Sequence, residues 1–322
     1  MTEIDRLPQV ATVDSTPRRV GIEVECGGLT EAEVAQVAAA TLGGTPRRVA
    51  EYDFKVEGTE LGELQVMLDT VYREQSGSAL ARLGLDLSRA VVPVEFVTEP
   101  ILPQQIPQID RLCAALRDAG ATGTRDGILL GFGVHLNVAV RGETGGDIMP
   151  TVRAYGLLED WLRVVAEIDV SRRALPFVHT WPHAFVDLLA EDAAAGWSVR
   201  DLIDAYLTHT PSRNRGLDLL PLLRHLDEPR VVAGLRDAHA LNPRPAFHYR
   251  LPDSRIDDPA WSVAEEWNRW CMIERTGDDA ELLAALAAAW RARRARPRPM
   301  GRSWAEEVDA LLSERMKEHR IA

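Results

Sequence analysis

Six segments of the chain alternate polar and apolar residues with a period of two, and in each the polar residues keep to one parity. Successive side chains of an extended strand point to opposite faces, so this pattern demands a sheet with one apolar face and one polar face. The first segment, Arg19 to Glu25, sets Glu23 and Glu25 against Ile22 and Val24. The second and third, Tyr52–Glu57 and Glu63–Asp69, are joined by a short turn between Gly58 and Gly62 and read as a hairpin. The fourth, Val92–Thr98, carries Glu95 and stops at Pro100, with Pro93 marking an edge or a strand start. The fifth, Gly131–Val138, puts its glycines, His135 and Asn137 opposite Phe132, Val134, Leu136 and Val138. The sixth, Ala246–Leu251, puts His248 and Arg250 opposite Phe247, Tyr249 and Leu251.

Helical periodicity fills much of the remainder. Thr30 to Leu42 opens on a Thr30-Glu31-Ala32-Glu33 capping box, and Ile106 to Ala119 ends at Gly120 as a C-cap glycine requires. From Thr151 to about His239 the pattern is helical, broken at Leu175-Pro176, Trp181-Pro182 and Thr210-Pro211-Ser212. Helices over Pro259–Glu274 and Asp278–Arg294 follow the sixth strand, then a basic run from Arg291 to Arg302 leads to a last amphipathic helix, Ser303–Lys317.

The apolar faces of six strands need cover, and about eight helices can supply it. The expected fold class is therefore α+β: a curved, mostly antiparallel six-stranded sheet with helices on one face. One domain over residues 1–295 includes a helical insertion at about 151–240, and residues 296–322 form a linker and helix. The open polar face gathers Glu23, Glu25, Lys55, Glu63, Gln65, Glu95, His135, Asn137, His248 and Arg250.

Composition narrows the function. The 49 acids against 37 bases, a net charge of -12, argue against a nucleic-acid backbone or an anionic membrane as partner. Arginine far outnumbers lysine, and its planar fork suits phosphate or carboxylate. Cys26, Cys113 and Cys271 are odd in number and form no CxxC, which favours neither a disulfide framework nor a zinc site and points to a reducing, cytoplasmic setting. No apolar run is long enough to cross a bilayer, and Glu3 and Asp5 stand where a signal peptide would carry bases.

Carboxylates gathered on one concave face raise one another's pKa unless cations neutralise them. Divalent ions are the direct remedy, held by the paired acids Glu23 and Glu25 and by Glu95 and Glu63. His135 can complete a coordination sphere or hydrogen-bond a phosphate, while Arg250, Arg213, Arg215 and Arg255 can clamp phosphoryl oxygens. Acids for metal and arginines for phosphate equip a site for nucleotide-dependent chemistry. The common nucleotide loops are missing: there is no GxxxxGK[ST] and no GxGxxG between strand and helix, and a GxSxG elbow is likewise absent.

Four motifs in order, Gly21-Ile22-Glu23-Val24-Glu25, Val94-Glu95-Phe96-Val97-Thr98-Glu99-Pro100-Ile101, Gly133-Val134-His135-Leu136-Asn137 and Phe247-His248-Tyr249-Arg250, resemble the motif series of the putative amidoligases. These belong with glutamine synthetase and glutamate–cysteine ligase among the carboxylate–amine ligases, and the resemblance runs over roughly residues 18 to 275. It implies a six-stranded antiparallel sheet whose concave face binds ATP and Mg2+ or Mn2+. It also implies a two-step reaction: phosphorylation of a carboxylate by ATP, then attack of an amine or ammonia on the acyl phosphate to leave an amide or isopeptide bond.

By the same resemblance Glu23, Glu25 and Glu95 would ligate metal, and Glu63 and His248 are further candidate ligands from their place on the polar face. Arg250 and His135 would be catalytic, and Asn137, Arg213, Arg215 and Lys55 would join them in holding the nucleotide. Ser254 and Asp257 stand where the family has a small hydroxyl residue and an acid, and Arg215-Gly216-Leu217-Asp218-Leu219 loosely matches an arginine and Leu-Asn-Leu segment.

The chain also departs from the pattern. His248 replaces an expected glutamate, Asn137 a second histidine, Glu99 a proline and Asp218 an asparagine. A histidine ligand shifts preference from magnesium toward softer ions such as manganese or zinc. The second reading open to the sequence is a non-catalytic descendant that keeps the sheet as a binding or scaffold module. The partners implied are a small-molecule or peptide carboxylate and an amine, and neither these nor the oligomeric state are specified by the residues.

Overall fold

A computed structural model describes residues 2–68, 93–124, 131–169, 172, 178–236, 238–296 and 302–321. The expected strand ends at Asp69 and Val92, the Leu175-Pro176 break and the Pro297–Pro299 linker lie outside the described residues.

The described strands are β1 (Val20–Cys26), β2 (Thr45–Ala50), β3 (Asp53–Thr59), β4 (Gly62–Leu68), β5 (Val94–Thr98), β6 (Val134–Ala139), β7 (Leu217–Asp218) and β8 (Ala246–Tyr249). They form one curved sheet in the order β2-β3-β4-β5-β1-β6-β8-β7, with every neighbouring pair antiparallel. Eight strands, not six, is a correction to the sequence reading. The two additions are β2 and β7 at the opposite edges. All six residues of β2 are exposed, so it has no buried face to impress an alternation on the sequence. Pro46 sits there without cost to a central ladder, since β2 has only β3 as neighbour. β7 is two residues long, below what any periodicity can register.

β1 occupies the middle of the sheet. Val20, Ile22, Val24 and Cys26 on its apolar face are wholly buried, and each such aliphatic side chain contributes about 1.5–3 kcal/mol by leaving water. The described helices are α1 (Glu31–Leu42), α2 (Ile106–Asp118), α3 (Gly145–Val165), α4 (His183–Leu189), α5 (Val199–His209), α6 (Leu220–Leu226), α7 (Glu228–Gly234), α8 (Val263–Asp278), α9 (Ala280–Arg294) and α10 (Trp304–Ile321). α1 begins where the capping box requires: the Glu33 N–H donates to Thr30 Oγ1 at 3.3 Å and the Thr30 N–H to Glu33 Oε2 at 2.8 Å. It buries Val34, Ala35, Ala38 and Leu42 over the β2–β5 half of the sheet.

α8 covers the other half. Its Trp270 ring stands 5.4 Å from Phe247 and 5.4 Å from Tyr249, the apolar residues of β8. A buried ion pair ties this helix to the start of β1: Arg18 Nη1 and Nη2 donate to Glu274 Oε2 and Oε1 at 2.7 and 2.6 Å. Trp270 Nε1 adds a bond to the same carboxylate at 2.9 Å, and Arg18 Nε donates to the Ala139 carbonyl at 2.8 Å. The helical segment starts at Gly145, ahead of Thr151, because Pro150 is carried inside α3. α3 lies close on α8, where Gly277 faces the Pro150 carbonyl; a Cβ there would come within 2.7 Å of that oxygen. α10 packs on α3 through Trp304, whose Nε1 donates to the Leu157 carbonyl at 2.8 Å. No described helix is long and apolar enough to cross a membrane.

Candidate functional site

Strand register decides which polar side chains meet. Glu23 lies opposite Val97 on one side and His135 on the other, while Glu25 lies opposite Glu95. Asn137 is flanked by Gly21 of β1 and His248 of β8, and His248 in turn faces Asp218 of β7. All of these share the polar face by parity. The polar groups of β1, β6, β8 and β7 therefore converge on one patch that runs from the middle of the sheet to its β7 edge.

Glu23 is the hub of that patch. Its Oε1 accepts from Asn137 Nδ2 at 2.6 Å, its Oε2 lies 2.7 Å from His135 Nδ1, and Arg244 Nη1 stands 3.8 Å from Oε1. Burial raises the Glu23 pKa, but the hydrogen bond and charge of His135, with His248 and Arg244, hold the carboxyl well below its usual range. Glu25 accepts from the Gly133 N–H at 2.7 Å, and its other oxygen is 3.7 Å from His135 Nε2. Two carboxylates directly opposed on neighbouring strands, Glu25 and Glu95, repel each other unless positive charge stands between or beside them.

His248 is 4 % exposed, and neither ring nitrogen has a hydrogen-bond partner. Its Nδ1 is 3.7 Å from Asp218 Oδ2, and its ring meets that of His135 edge-on at 5.2 Å. Burial pushes its pKa down to about 4, with Asp218 and Glu23 offsetting part of the effect. Asp218 is wholly buried; its Oδ1 accepts the Leu220 N–H at 3.0 Å, while Oδ2 has no hydrogen-bond partner. Among the described residues, Glu23, His135 and His248 offer one ligand atom each with all three atoms within 4.8 Å of one another.

Arginines roof this patch. Arg250 Nη1 donates to the Arg213 carbonyl at 3.2 Å, and Arg213 Nε is 3.9 Å from Asp218 Oδ2. The Nε atoms of Arg213, Arg215, Arg244 and Arg250 are buried without hydrogen-bond partners. Arg215 is turned partly away, with Nη1 on the Thr180 carbonyl at 2.6 Å. A buried Arg172 lies over β6, donating to the Gly131 and Arg250 carbonyls at 3.2 and 2.5 Å and standing 3.3 Å from Asp253 Oδ1. Gly133 leaves it the room, since a Cβ there would lie 2.3 Å from Arg172 Nη1.

Of the residues singled out by sequence, Glu23, Glu25, Glu95, His135, Asn137, His248, Arg213 and Arg250 come together here. Lys55 and Glu63 do not join them. They pair with each other, Nζ to Oε1 at 2.6 Å, on β3 and β4, and β4 is two strands from β1, about 10 Å away. Ser254 is wholly buried, and its N–H donates to the Phe132 carbonyl at 2.9 Å. Sequence reasoning missed Arg172 and Arg244. Arg244 had a signal, standing between Pro243 and Pro245 just before a strand; Arg172 had none. The cysteines take no part: Cys26 is pushed up to about 12 by burial and by Glu25, and burial also raises Cys113 and Cys271.

Comparison with protein families finds a match over residues 16–272 to a family described as putative amidoligase enzyme. No curated protein and no solved structure matches the chain.

Proposed function

The chain belongs to the putative amidoligase family, and from that premise we propose that it is an ATP- and divalent-metal-dependent carboxylate–amine ligase whose site is the patch around Glu23. The observation that carries this reading is the convergence on Glu23 of His135 and Asn137 from β6, His248 from β8 and Arg244, leaving buried donors and acceptors unused. Buried polar atoms without partners are costly, and here they are the atoms that would meet a metal ion and phosphate oxygens. When bound, ATP with its ions supplies the phosphoryl group that activates a carboxylate, so that an amine displaces phosphate and an amide results.

The chain's own residues have distinct parts in this proposal. Glu23, Glu25, Glu95 and His248 hold divalent cations, and neutralising the opposed acids is part of the favourable energy of binding. Arg250, with Arg213 and Arg244, would stabilise charge on the transferring phosphoryl oxygens through charge-assisted hydrogen bonds from their guanidinium groups. His135, with Nδ1 2.7 Å from Glu23 and Nε2 3.7 Å from Glu25, completes the coordination of a cation held by these acids. Asn137 fixes the Glu23 carboxylate through its amide. Lys55 and Glu63 belong to the outer sheet.

The reading is tested by ADP release from ATP with magnesium or manganese, in the presence of mixed amino-acid and peptide carboxylates and amines. Wild type should release ADP, and Glu23→Gln and Arg250→Ala should each abolish release with an unchanged circular dichroism spectrum. Equal release in all three proteins would sink the proposal. A scaffold role predicts the contrary result in calorimetry, no metal-dependent nucleotide binding at all.

A further inference from the structure

The donors of the Glu23 patch also define which ion it takes. We propose that Glu23, His135 and His248 form a site for a borderline transition-metal dication, of the manganese, iron, cobalt or zinc class, in preference to magnesium. This names the ion of one part of the site described above and rests on the metal half of that reading.

Three observations carry it. The three ligand atoms already lie within 4.8 Å of one another on β1, β6 and β8. Ligands about 2.0–2.2 Å from a tetrahedral ion stand roughly 3.4 Å apart, so rotation of side chains through about an ångström closes the set without moving the sheet. Second, His248 is 4 % exposed with both ring nitrogens unpartnered, an arrangement that nothing in the protein alone compensates. Asp218 Oδ2, 3.7 Å from Nδ1, is placed to accept a hydrogen bond from Nδ1–H as the ring turns and so leave Nε2 as a lone-pair donor. A carboxylate behind a ligating imidazole is the usual support of such metal sites.

Third, the donor types discriminate between ions. Magnesium favours six oxygens in near-octahedral array and gains little from imidazole. Two imidazoles and one carboxylate instead suit iron, manganese, cobalt and zinc. Glu25 and Glu95, an all-oxygen pair one strand pairing away, remain the natural place for a magnesium ion. The sheet thus presents two neighbouring sites of different hardness.

The test uses the full chain stripped with chelator, then titrated with magnesium, manganese, cobalt and zinc by calorimetry, with the visible spectrum of the cobalt form. The expected result is one ion bound at least about 100-fold more tightly for zinc or cobalt than for magnesium, with cobalt bands typical of nitrogen ligation. His248→Gln should lose that tight binding, and His248→Glu should narrow the preference over magnesium by about tenfold or more, both with an unchanged circular dichroism spectrum. Magnesium binding as tightly as zinc in the wild type, or tight zinc binding that survives His248→Gln, overturns the proposal. If the variants do not fold, the wild-type competition between zinc and magnesium decides alone. Ion binding and ADP release are separate readouts, so a chain that selects zinc through His248 yet releases no ADP refutes the ligase and leaves this inference standing.

Discussion

Alanine at Gly133 probes how closely the roof of the patch rests on its floor. The added Cβ would lie 2.3, 2.6 and 2.8 Å from Nη1, Nη2 and Cζ of Arg172, about 1 Å inside ordinary contact for the nearest atom. The strand cannot retreat, because Gly133 exchanges bonds with Glu25: its N–H donates to Oε2 at 2.7 Å and its carbonyl accepts the Glu25 N–H at 3.0 Å. Arg172 must therefore move, loosening its bonds to the Gly131 and Arg250 carbonyls and its approach to Asp253. Overpacking alone costs about 1–3 kcal/mol, and a hydrogen bond from a charged donor contributes about 1.5–3 kcal/mol. With partial relaxation the expected loss is about 3 kcal/mol, read as a lower guanidinium midpoint at unchanged slope. In an Arg172→Ala background the same substitution should cost less than about 1 kcal/mol, a coupling of about 2 kcal/mol. Equal costs in the two backgrounds would refute the reasoning.

Glu274→Gln should destabilise by about 3–5 kcal/mol in denaturant unfolding, because it leaves the buried Arg18 guanidinium uncompensated; a loss under about 1 kcal/mol would show that water reaches the pair. Gly277→Ala should cost about 1–3 kcal/mol by forcing α8 away from the Pro150 carbonyl 2.7 Å from the new Cβ, and a rise in melting temperature would contradict it. In chelator-treated protein the unfolded chain protonates His248 near its ordinary value of 6.5, whereas the folded chain resists until about 4. Stability from this group is thus complete above the unfolded value and falls by about 3 kcal/mol as pH drops through that window. His248→Gln should flatten this stretch of the stability–pH curve, and an unaltered slope would exclude burial of a neutral ring as its cause.

What the sequence made legible depended on burial. Glu23, Glu25, Glu95, His135, Asn137 and His248 announced their common face because Ile22, Val24, Phe96, Val134, Leu136 and Phe247 had to occupy the other one. β2 gave no such sign, since Arg47, Arg48 and Val49 are as exposed as their neighbours and the strand is held by main-chain bonds to β3 and an exposed Arg47–Glu57 pair. Parity also fixes a face without fixing distance across it. Lys55 and Glu63 have the right parity, yet strand order places them outward, where they neutralise each other. Arg172 was invisible for another reason: it reaches the patch from outside the sheet, so no strand pattern carries it. Only in the folded chain does its seat show, at Gly133, where a Cβ would lie 2.3 Å from Nη1.

The three candidate ligand residues stand far apart in the chain, Glu23 and His135 being 112 positions apart and His248 lying beyond the whole helical segment. Contacts of such long range form late, since the closure entropy of the intervening loops must be met first. The patch is therefore complete only when both long-range pairings, β1 with β6 and β6 with β8, have formed. A partly folded chain holds its carboxylates and imidazoles separately and has no joint affinity for an ion. Under the proposed metal role, ion capture would report on a completed ladder, because the three ligand atoms meet only once β1, β6 and β8 are paired.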